Sequence, residues 1–502
     1  MTLKKKQIFT NLFSGIIGQV ITIVLGIVLP RLFITSFGSE VNGLLSSVNQ
    51  FYTYIGLLEA GVGTATLQAL YKPIAEEDKK KVNSILSATN LYYYKTGLFY
   101  GLAVFLFAFI FPVFVHSQID YWTVFLIILF SGLGNAIIYF FHGKYKILLN
   151  ADGRGYIVTN IATFVTILSS LSKIILIMKG FDVVVVQFSF FIINILQVFL
   201  FTVYIKRNYK WINIHEKPDF DAISKKGSVL IHQLSYLVFS NTDIILLTLF
   251  CDLKIVSIYS LYNLLFSSIS NLLASLNNSI TYVLGQLFQK NFNKFLELVD
   301  CYELYYTMLN FVCYTIALLF AIPFFKIYTA GISDANYIDF NLVILFIIIN
   351  ILISSRTAMS NIINISGHFR ETQNRSILES IINLTVSFLA IFKFGMYGVL
   401  VGTIIALLYR TNDIIIYSNC HILNRKPYRT YKLIILNIII MLGIYLLFSK
   451  VIMNYLVLET YISLFISAAI SGIAILAIFF ILNSLAFLKS CKFLIKMIFS
   501  KF

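Results

Sequence analysis

Nine charged residues fall inside long apolar segments of this 502-residue sequence, where a charge is costly. They are Arg31, Glu59, Lys95, Lys173, Asp243, Arg356, Glu379, Arg410 and Asp413. A charge at the centre of a membrane-spanning helix costs about 2.5–3.5 kcal/mol on insertion scales. We therefore predict that these side chains face an internal cavity or one another rather than lipid.

The deepest basic residues, Lys95, Arg356 and Arg410, could hold an anionic group inside the membrane. Arginine binds a phosphate with two parallel hydrogen bonds, and lysine binds it as a point charge. Arg31 is a fourth candidate, although it and Lys173 lie toward the outer ends of their segments and could instead snorkel to the interface. A lipid diphosphate fits this pattern, because its head needs a cationic cavity while its tail can stay in the bilayer.

Three acidic residues, Glu59, Asp243 and Asp413, are candidate coupling residues or charge partners of the basic ones. Asp243 follows Asn241 and Thr242 and could take a cation, a proton or a sugar hydroxyl. Asp413 lies three residues after Arg410, on the same helix face, so these two could simply pair. For all three acids, a charge pair that only joins helices is the alternative to a functional role.

The elements that carry these residues are apolar throughout. The chain is 59% hydrophobic and 12% charged, whereas soluble domains are about a quarter charged. We predict an all-α integral membrane protein with fourteen transmembrane helices, since about 20 apolar residues cross a bilayer. The predicted spans are 8–37, 41–70, 84–114, 120–143, 155–178, 183–205, 229–250, 255–288, 302–325, 339–365, 376–392, 397–420, 433–449 and 459–488.

Several classes of protein are excluded at this stage. The net charge of +16 does not indicate nucleic-acid binding, because the basic residues lie at span boundaries. The five cysteines contain no CxxC pair, and the histidines lack the spacing of metal ligands, so we expect no metal site and no cofactor. No loop is long enough for a soluble catalytic domain, so we predict no catalytic residues and no enzyme. The first apolar run is too long for a signal-peptide core and is read as a retained helix.

The basic residues also predict the orientation of the chain. With the amino terminus inside, 28 of the 38 Lys and Arg residues fall in cytoplasmic segments and five fall in outer loops. The cytoplasmic group includes Lys144, Arg375, Arg425 and Arg429. Both termini are therefore expected in the cytoplasm.

Several features recur at an offset of 211 to 214 residues. Pro112 matches Pro323, and the turn LLNADG with Gly153 matches IINISG with Gly367. We predict two six-helix lobes, 1–210 and 211–425, related as a parallel tandem repeat, with two additional helices and a basic tail in 426–502.

Five stretches resemble a known family. They are FGSEVNGLLSSVNQFYTYIGLLEAGVGTATLQALYKPIAEED (37–78), NTDIILLTLF (241–250), IVSIYSLYN (255–263), GHFRETQNRSILESIINLTVSF (367–388) and FGMYGVLVGT (394–403). The chain resembles the bacterial Wzx-type polysaccharide flippases, within the multidrug/oligosaccharidyl-lipid/polysaccharide exporter (MOP) superfamily. The resemblance covers about the first 425 residues.

The resemblance implies two helical bundles around a cationic cavity that opens alternately to each side of the bacterial cytoplasmic membrane. It implies translocation of undecaprenyl-diphosphate-linked oligosaccharide repeat units for surface polysaccharide biosynthesis. Partners would be this substrate, membrane lipids, and a polysaccharide polymerase or glycosyltransferases. Coupling to Na⁺ or H⁺ is left open by the sequence.

Two alternatives stay open. A multidrug or organic-cation antiporter of the same superfamily would use acidic residues such as Glu59 and Asp243. A membrane glycosyltransferase or polymerase acting on the same lipid is disfavoured by the short outer loops.

Overall fold

The computed structural model of the chain describes residues 2–56, 62–115, 117–137, 140–141, 143–223, 241–448, 458–488 and 490. All regular structure in these residues is helical, which confirms the predicted all-α fold. The chain forms two compact units, Met1–Ser260 and Leu261–Phe502, and their boundary lies within one helix. The predicted lobe boundary at 210/211 rests on the sequence repeat and stays a prediction.

The described residues of unit 1 form nine α-helices and the start of a tenth. In the described residues its helices are α1 (Thr2–Phe37), α2 (Ser39–Ile55), α3 (Val62–Ala75), α4 (Lys79–Phe114), α5 (Tyr121–Ile137), α6 (Gly143–Ala151), α7 (Gly155–Met178), α8 (Val183–Asn208), α9 (Asn241–Phe250) and the start of α10 (Leu253–Lys290). Helix α2 is joined to α9 by a 2.6 Å hydrogen bond between the Ser47 and Thr248 hydroxyls. The side chain of Asn42 donates to Ser257 of α10 over 2.8 Å.

Unit 2 contains the rest of α10 and six further helices among the described residues. They are α11 (Phe292–Tyr328), α12 (Phe340–Ser366), α13 (Phe369–Phe394), α14 (Met396–Tyr417), α15 (Tyr428–Leu447) and α16 (Tyr461–Ala486). A π-helical turn, Ser418–Ile422, follows α14. Helix α11 packs against α12, α15 and α16, so the two additional helices dock on the same long helix.

The described helices include counterparts of thirteen of the fourteen predicted spans, and the predicted span 41–70 falls on the shorter helices α2 and α3. Eleven of them are long and apolar enough to cross a membrane, and α5 and α9 are shorter apolar helices. The large apolar side chains of helices such as α16 are exposed, as they are on surfaces that face lipid. The protein is therefore a multi-pass membrane protein.

The tandem repeat is visible in where the helices begin. Helices α2 and α10, α4 and α11, α7 and α13, and α8 and α14 start 213 or 214 residues apart. The matched turns at Gly153 and Gly367 have the same left-handed backbone, with φ of 72° and 78°. The repeat therefore extends from sequence to local structure.

Two residues counted among the cytoplasmic segments lie on helices outside the predicted spans. The chain re-enters a helix at Gly143, and Lys144 is buried on α6. Helix α13 begins at Phe369, before the predicted span 376–392, and carries Arg375. In both cases the helix extends beyond the apolar run that hydropathy detects.

Candidate functional site

Five charged side chains of unit 2 form one network inside the bundle. This charge cluster consists of Arg356 on α12, Arg375 and Glu379 on α13, and Arg410 and Asp413 on α14. Three of its members, Arg356, Arg410 and Asp413, are predicted site residues. The other two were recognised in the sequence as charged but were not assigned to the site.

The helical hairpins explain why these residues meet. Arg356 lies ten residues before the end of α12, and Glu379 lies ten residues after the start of α13. The two helices are joined by a short turn at Gly367, so both side chains lie about 15 Å from it at 1.5 Å per residue. Arg410 of α14 is likewise about as far from the turn at Gly395 as Glu379 is. Antiparallel neighbours therefore bring the three to one depth.

Each carboxylate in the charge cluster serves two arginines. Arg356 Nη1 lies 2.5 Å from Glu379 Oε1, and Arg410 Nε lies 3.6 Å from Glu379 Oε2. Asp413 accepts from both Arg410 and Arg375. Three arginines thus share two carboxylates, which leaves the cluster with one excess positive charge.

The charge cluster is buried at its centre and open at one edge. The side chains of Arg410 and Glu379 are 7% and 8% exposed, whereas that of Arg375 is 39% exposed. Arg410 Nη2 also donates to Ser376 Oγ over 2.9 Å, so the most buried guanidinium is firmly oriented. Arg375 is therefore the most exposed arginine of the charge cluster.

An aromatic and imidazole edge lies beside Arg375. Its guanidinium carbon lies 4.9 Å from the centroid of the Tyr417 ring. The Tyr417 hydroxyl is 3.0 Å from His368 Nδ1, and the His421 ring stacks on Tyr417 at 4.7 Å between centroids. This arrangement holds Arg375 by cation–π contact without consuming its donors.

The remaining predicted residues belong to unit 1 or lie outside the described residues. Arg31 is half-buried on α1, and Lys95 is exposed on α4. Asp243 is buried on α9, where it accepts a 2.9 Å hydrogen bond from the Tyr259 hydroxyl. Glu59 lies outside the described residues.

Lys173 lies against two aromatic rings. Its Nζ lies 4.4 Å from the Phe190 ring centroid and 5.9 Å from that of Phe33. The side chain is half-buried between these rings of α8 and α1, so its ammonium group is in cation–π contact.

A second ionic network, around Glu303, and the burial of Lys144 were not predicted from the sequence. Glu303 on α11 is 1% exposed and pairs with Arg425 and Arg429, which were counted among the cytoplasmic segments. The signal in the sequence was the acidic pair Asp300 and Glu303, three apart at the start of a span.

Comparison with known proteins supports the fold. No family model matches the chain, and no curated protein matches it. The lipid II flippase MurJ in an inward closed conformation superposes with a TM-score of 0.66 at 14% identity, covering 95% of this chain and 98% of its own. An inward-facing multidrug resistance MATE family transporter of the MOP superfamily gives 0.64 at 15% identity, covering 83% and 95%. The Vibrio cholerae MATE transporter VcmN gives 0.54 at 14%, covering 85% and 99%. The chain therefore has the fold of the MOP-superfamily transporters.

Proposed function

We propose that the protein is a flippase that moves undecaprenyl-diphosphate-linked oligosaccharide units across the bacterial cytoplasmic membrane, as the Wzx-type resemblance implies. The observation that carries this proposal is the excess of positive charge inside membrane helices. The charge cluster holds three arginines to two carboxylates. Helices α1, α4, α5, α7 and α8 contain no Asp or Glu, although Arg31, Lys95 and Lys173 lie on them.

The charge cluster offers a defined way to take up a diphosphate. Arg375 is its exposed member, and Asp413 occupies its guanidinium when no substrate is bound. A diphosphate carries more charge than one carboxylate and can accept bidentate hydrogen bonds from Arg375. It would thus displace Asp413, which keeps its second partner, Arg410. Lys95 and Arg31 are proposed as further cationic contacts during passage.

The likeness to the lipid II flippase supports a lipid-linked substrate, because that neighbour covers nearly the whole of this chain. In the proposed cycle the two lobes rock about the bound diphosphate. The substrate shifts the balance between the inward-open and outward-open states only if it binds them with different affinity.

A cation antiporter is the second candidate, and one observation favours it. Asp243 is a buried carboxylate on an apolar helix, and it accepts a hydrogen bond from the Tyr259 hydroxyl. A buried acid of this kind suits an organic cation, and the MATE transporters share the fold at comparable TM-scores.

Binding to the purified protein in nanodiscs separates the two candidates. For a flippase we expect the lipid-linked diphosphate to bind and Arg375→Ala to weaken it by roughly tenfold or more, since a hydrogen bond to a charged group is worth about 1.5–3 kcal/mol. Asp243→Asn should leave this binding intact. Binding of organic cations that is lost in Asp243→Asn, with no binding of the diphosphate, would establish the antiporter instead.

A further inference from the structure

Lys144 is a buried amine that the proposed substrate site does not use. It lies in the first turn of α6 and is 7% exposed. Its Nζ donates a hydrogen bond to the side-chain oxygen of Asn90 on α4. The Nζ also lies 5.0 Å from the ring centroid of Tyr145. These neighbours are polar or aromatic, and neither carries a charge at neutral pH.

The helices around Lys144 provide no carboxylate. Helix α6 packs against α3, α4 and α7, and none of these four helices contains Asp or Glu. Their other charged side chains are Lys72, Lys79, Lys80, Lys81, Lys95, Lys146 and Lys173. The nearest acid along the chain, Asp152, is paired with Arg154 at 3.1 Å. Among the described residues, Lys144 therefore has no counter-ion.

A buried amine without a counter-ion favours its neutral form. Desolvation penalises the ammonium, while the neutral amine can still donate to Asn90. Burial accordingly lowers the pKa of Lys144 to about 8. The amine can thus bind and release a proton near physiological pH, which an exposed lysine does not do.

The chain just before Lys144 departs from α-helical geometry. Helix α5 ends at Ile137, residues 140 and 141 are π-helical, and α6 begins at Gly143. Single π-turns are frequent at functional sites.

We propose that Lys144 is the proton-binding residue that couples transport to a proton gradient. The amine is shielded in the conformation described and takes up or releases its proton when another conformation exposes it. This inference rests on the proposed transport function for its coupling role. The binding of the proton itself can be tested without any substrate.

The first experiment measures proton binding at Lys144 directly. The purified protein in nanodiscs is labelled with a small amine-reactive acylating reagent at a series of pH values. Mass spectrometry follows the peptide that carries Lys144, with exposed Lys72 as the internal reference for the reagent. We expect labelling of Lys144 to rise with a midpoint near 8. A midpoint above about 10, the ordinary range for lysine, or no labelling at any pH, would overturn the proposal.

The second experiment measures coupling in proteoliposomes with an imposed pH gradient. Lys144→Gln removes the proton site, and Lys144→Arg fixes the charge. Both should fold and move substrate at a rate that no longer responds to the gradient. Lys146→Gln, on the same helix, is the matched control and should respond like wild type.

The outcomes separate the two proposals. Gradient-driven transport that persists in Lys144→Gln overturns the role of Lys144. Wild-type transport that ignores the gradient also overturns it, but leaves the flippase intact. If wild type moves no lipid-linked substrate, the flippase proposal fails, and the labelling midpoint alone decides whether Lys144 is a proton site.

Discussion

Buried ion pairs neutralise several arginines of unit 2. Arg356 and Arg410 each have a carboxylate partner, so neither is a bare cation waiting for substrate. Removing one partner from such a pair strands a charge, which is more costly than replacing the whole pair by neutral groups. Variants at these positions are therefore informative only when the partner is considered too.

The second ionic network makes the clearest stability prediction. Glu303 Oε2 lies 3.0 Å from Arg429 Nη1 and 3.3 Å from Arg425 Nη2, and its other oxygen accepts from Thr430. Glu303→Gln would leave two arginines short of one carboxylate in a buried place. We expect a loss of about 1–3 kcal/mol of stability, the range for a buried donor that loses its partner, because Arg425 and Arg429 both keep Asp300 as a second carboxylate. Thermal unfolding in detergent measures the fall in Tm.

Glu297 provides the matched control for this substitution. It lies on the same helix, α11, but its side chain is exposed. Glu297→Gln should leave Tm unchanged within the small range typical of surface substitutions. Equal Tm values for the two variants would show that the Glu303 network does not stabilise the fold.

Pairing within one helix was predictable from the sequence, whereas pairing between helices was not. Arg410 and Asp413 are three residues apart, and the spacing alone suggested their contact. Arg356 and Glu379 are 23 residues apart and meet only because a turn places them at equal depth. Predicting this contact requires the ends of α12 and α13, because the two residues are equally far from the turn at Gly367. Hydropathy places helix ends only within a few residues.

Close packing of α13 on α14 holds the residues of the charge cluster together. A Cβ at Gly402 would lie 2.2 Å from Ser387 Oγ and 2.6 Å from the Ser387 backbone nitrogen. A Cβ at Gly398 would lie 2.4 Å from the carbonyl oxygen of Ala390. These glycines, four residues apart, let the two backbones approach as small residues do in membrane helix pairs.

Gly402→Leu should force α13 and α14 apart. We expect a destabilised protein with lower Tm, since overpacking a tight contact costs about 1–3 kcal/mol and backbone atoms cannot move aside easily. Gly443→Leu on α15 is the control, because no atom lies within 4 Å of a Cβ there. A Gly402→Leu protein as stable as the Gly443→Leu protein would contradict the close approach.

Hydropathy predicted most elements because a bilayer imposes one strong rule on length and composition. It failed where polar residues continue a helix, as at Lys144 on α6 and Arg375 on α13. Hydropathy also did not predict the π-helical geometry of residues 140 and 141, between α5 and α6. Such features depend on packing with neighbouring helices, which a single sequence does not display.

The distribution of charge distinguishes the two units at the scale of the whole molecule. In unit 1, the long helices α1, α4, α7 and α8 carry lysines and two arginines but no Asp or Glu, and Lys144 has no carboxylate partner among the described residues. In unit 2, arginines and acids are interleaved into two networks. The fold could be expected from the family-like stretches and from the repeat. The offset of the repeat recurs in the positions where paired helices begin. The substrate cannot be read from either, because transporters with different cargo share this fold.

We propose that the protein moves a lipid-linked diphosphate by means of the charge cluster. The most direct test is leaflet translocation of a labelled undecaprenyl-diphosphate oligosaccharide in proteoliposomes. Wild type is compared with Arg375→Ala, with the double variant Arg356→Gln/Glu379→Gln, which removes a pair without stranding a charge, and with Lys95→Ala. Lys393→Ala, which removes a charge from an exposed position on α13, is the control.

We predict translocation by wild type and by Lys393→Ala, and its loss in correctly inserted charge-cluster variants, with a weaker defect in Lys95→Ala. Wild-type rates in the charge-cluster variants would show that the arginines do not receive the substrate. If wild type moves none of several glycans under either a Na⁺ or an H⁺ gradient, the proposal that the protein is a flippase is wrong.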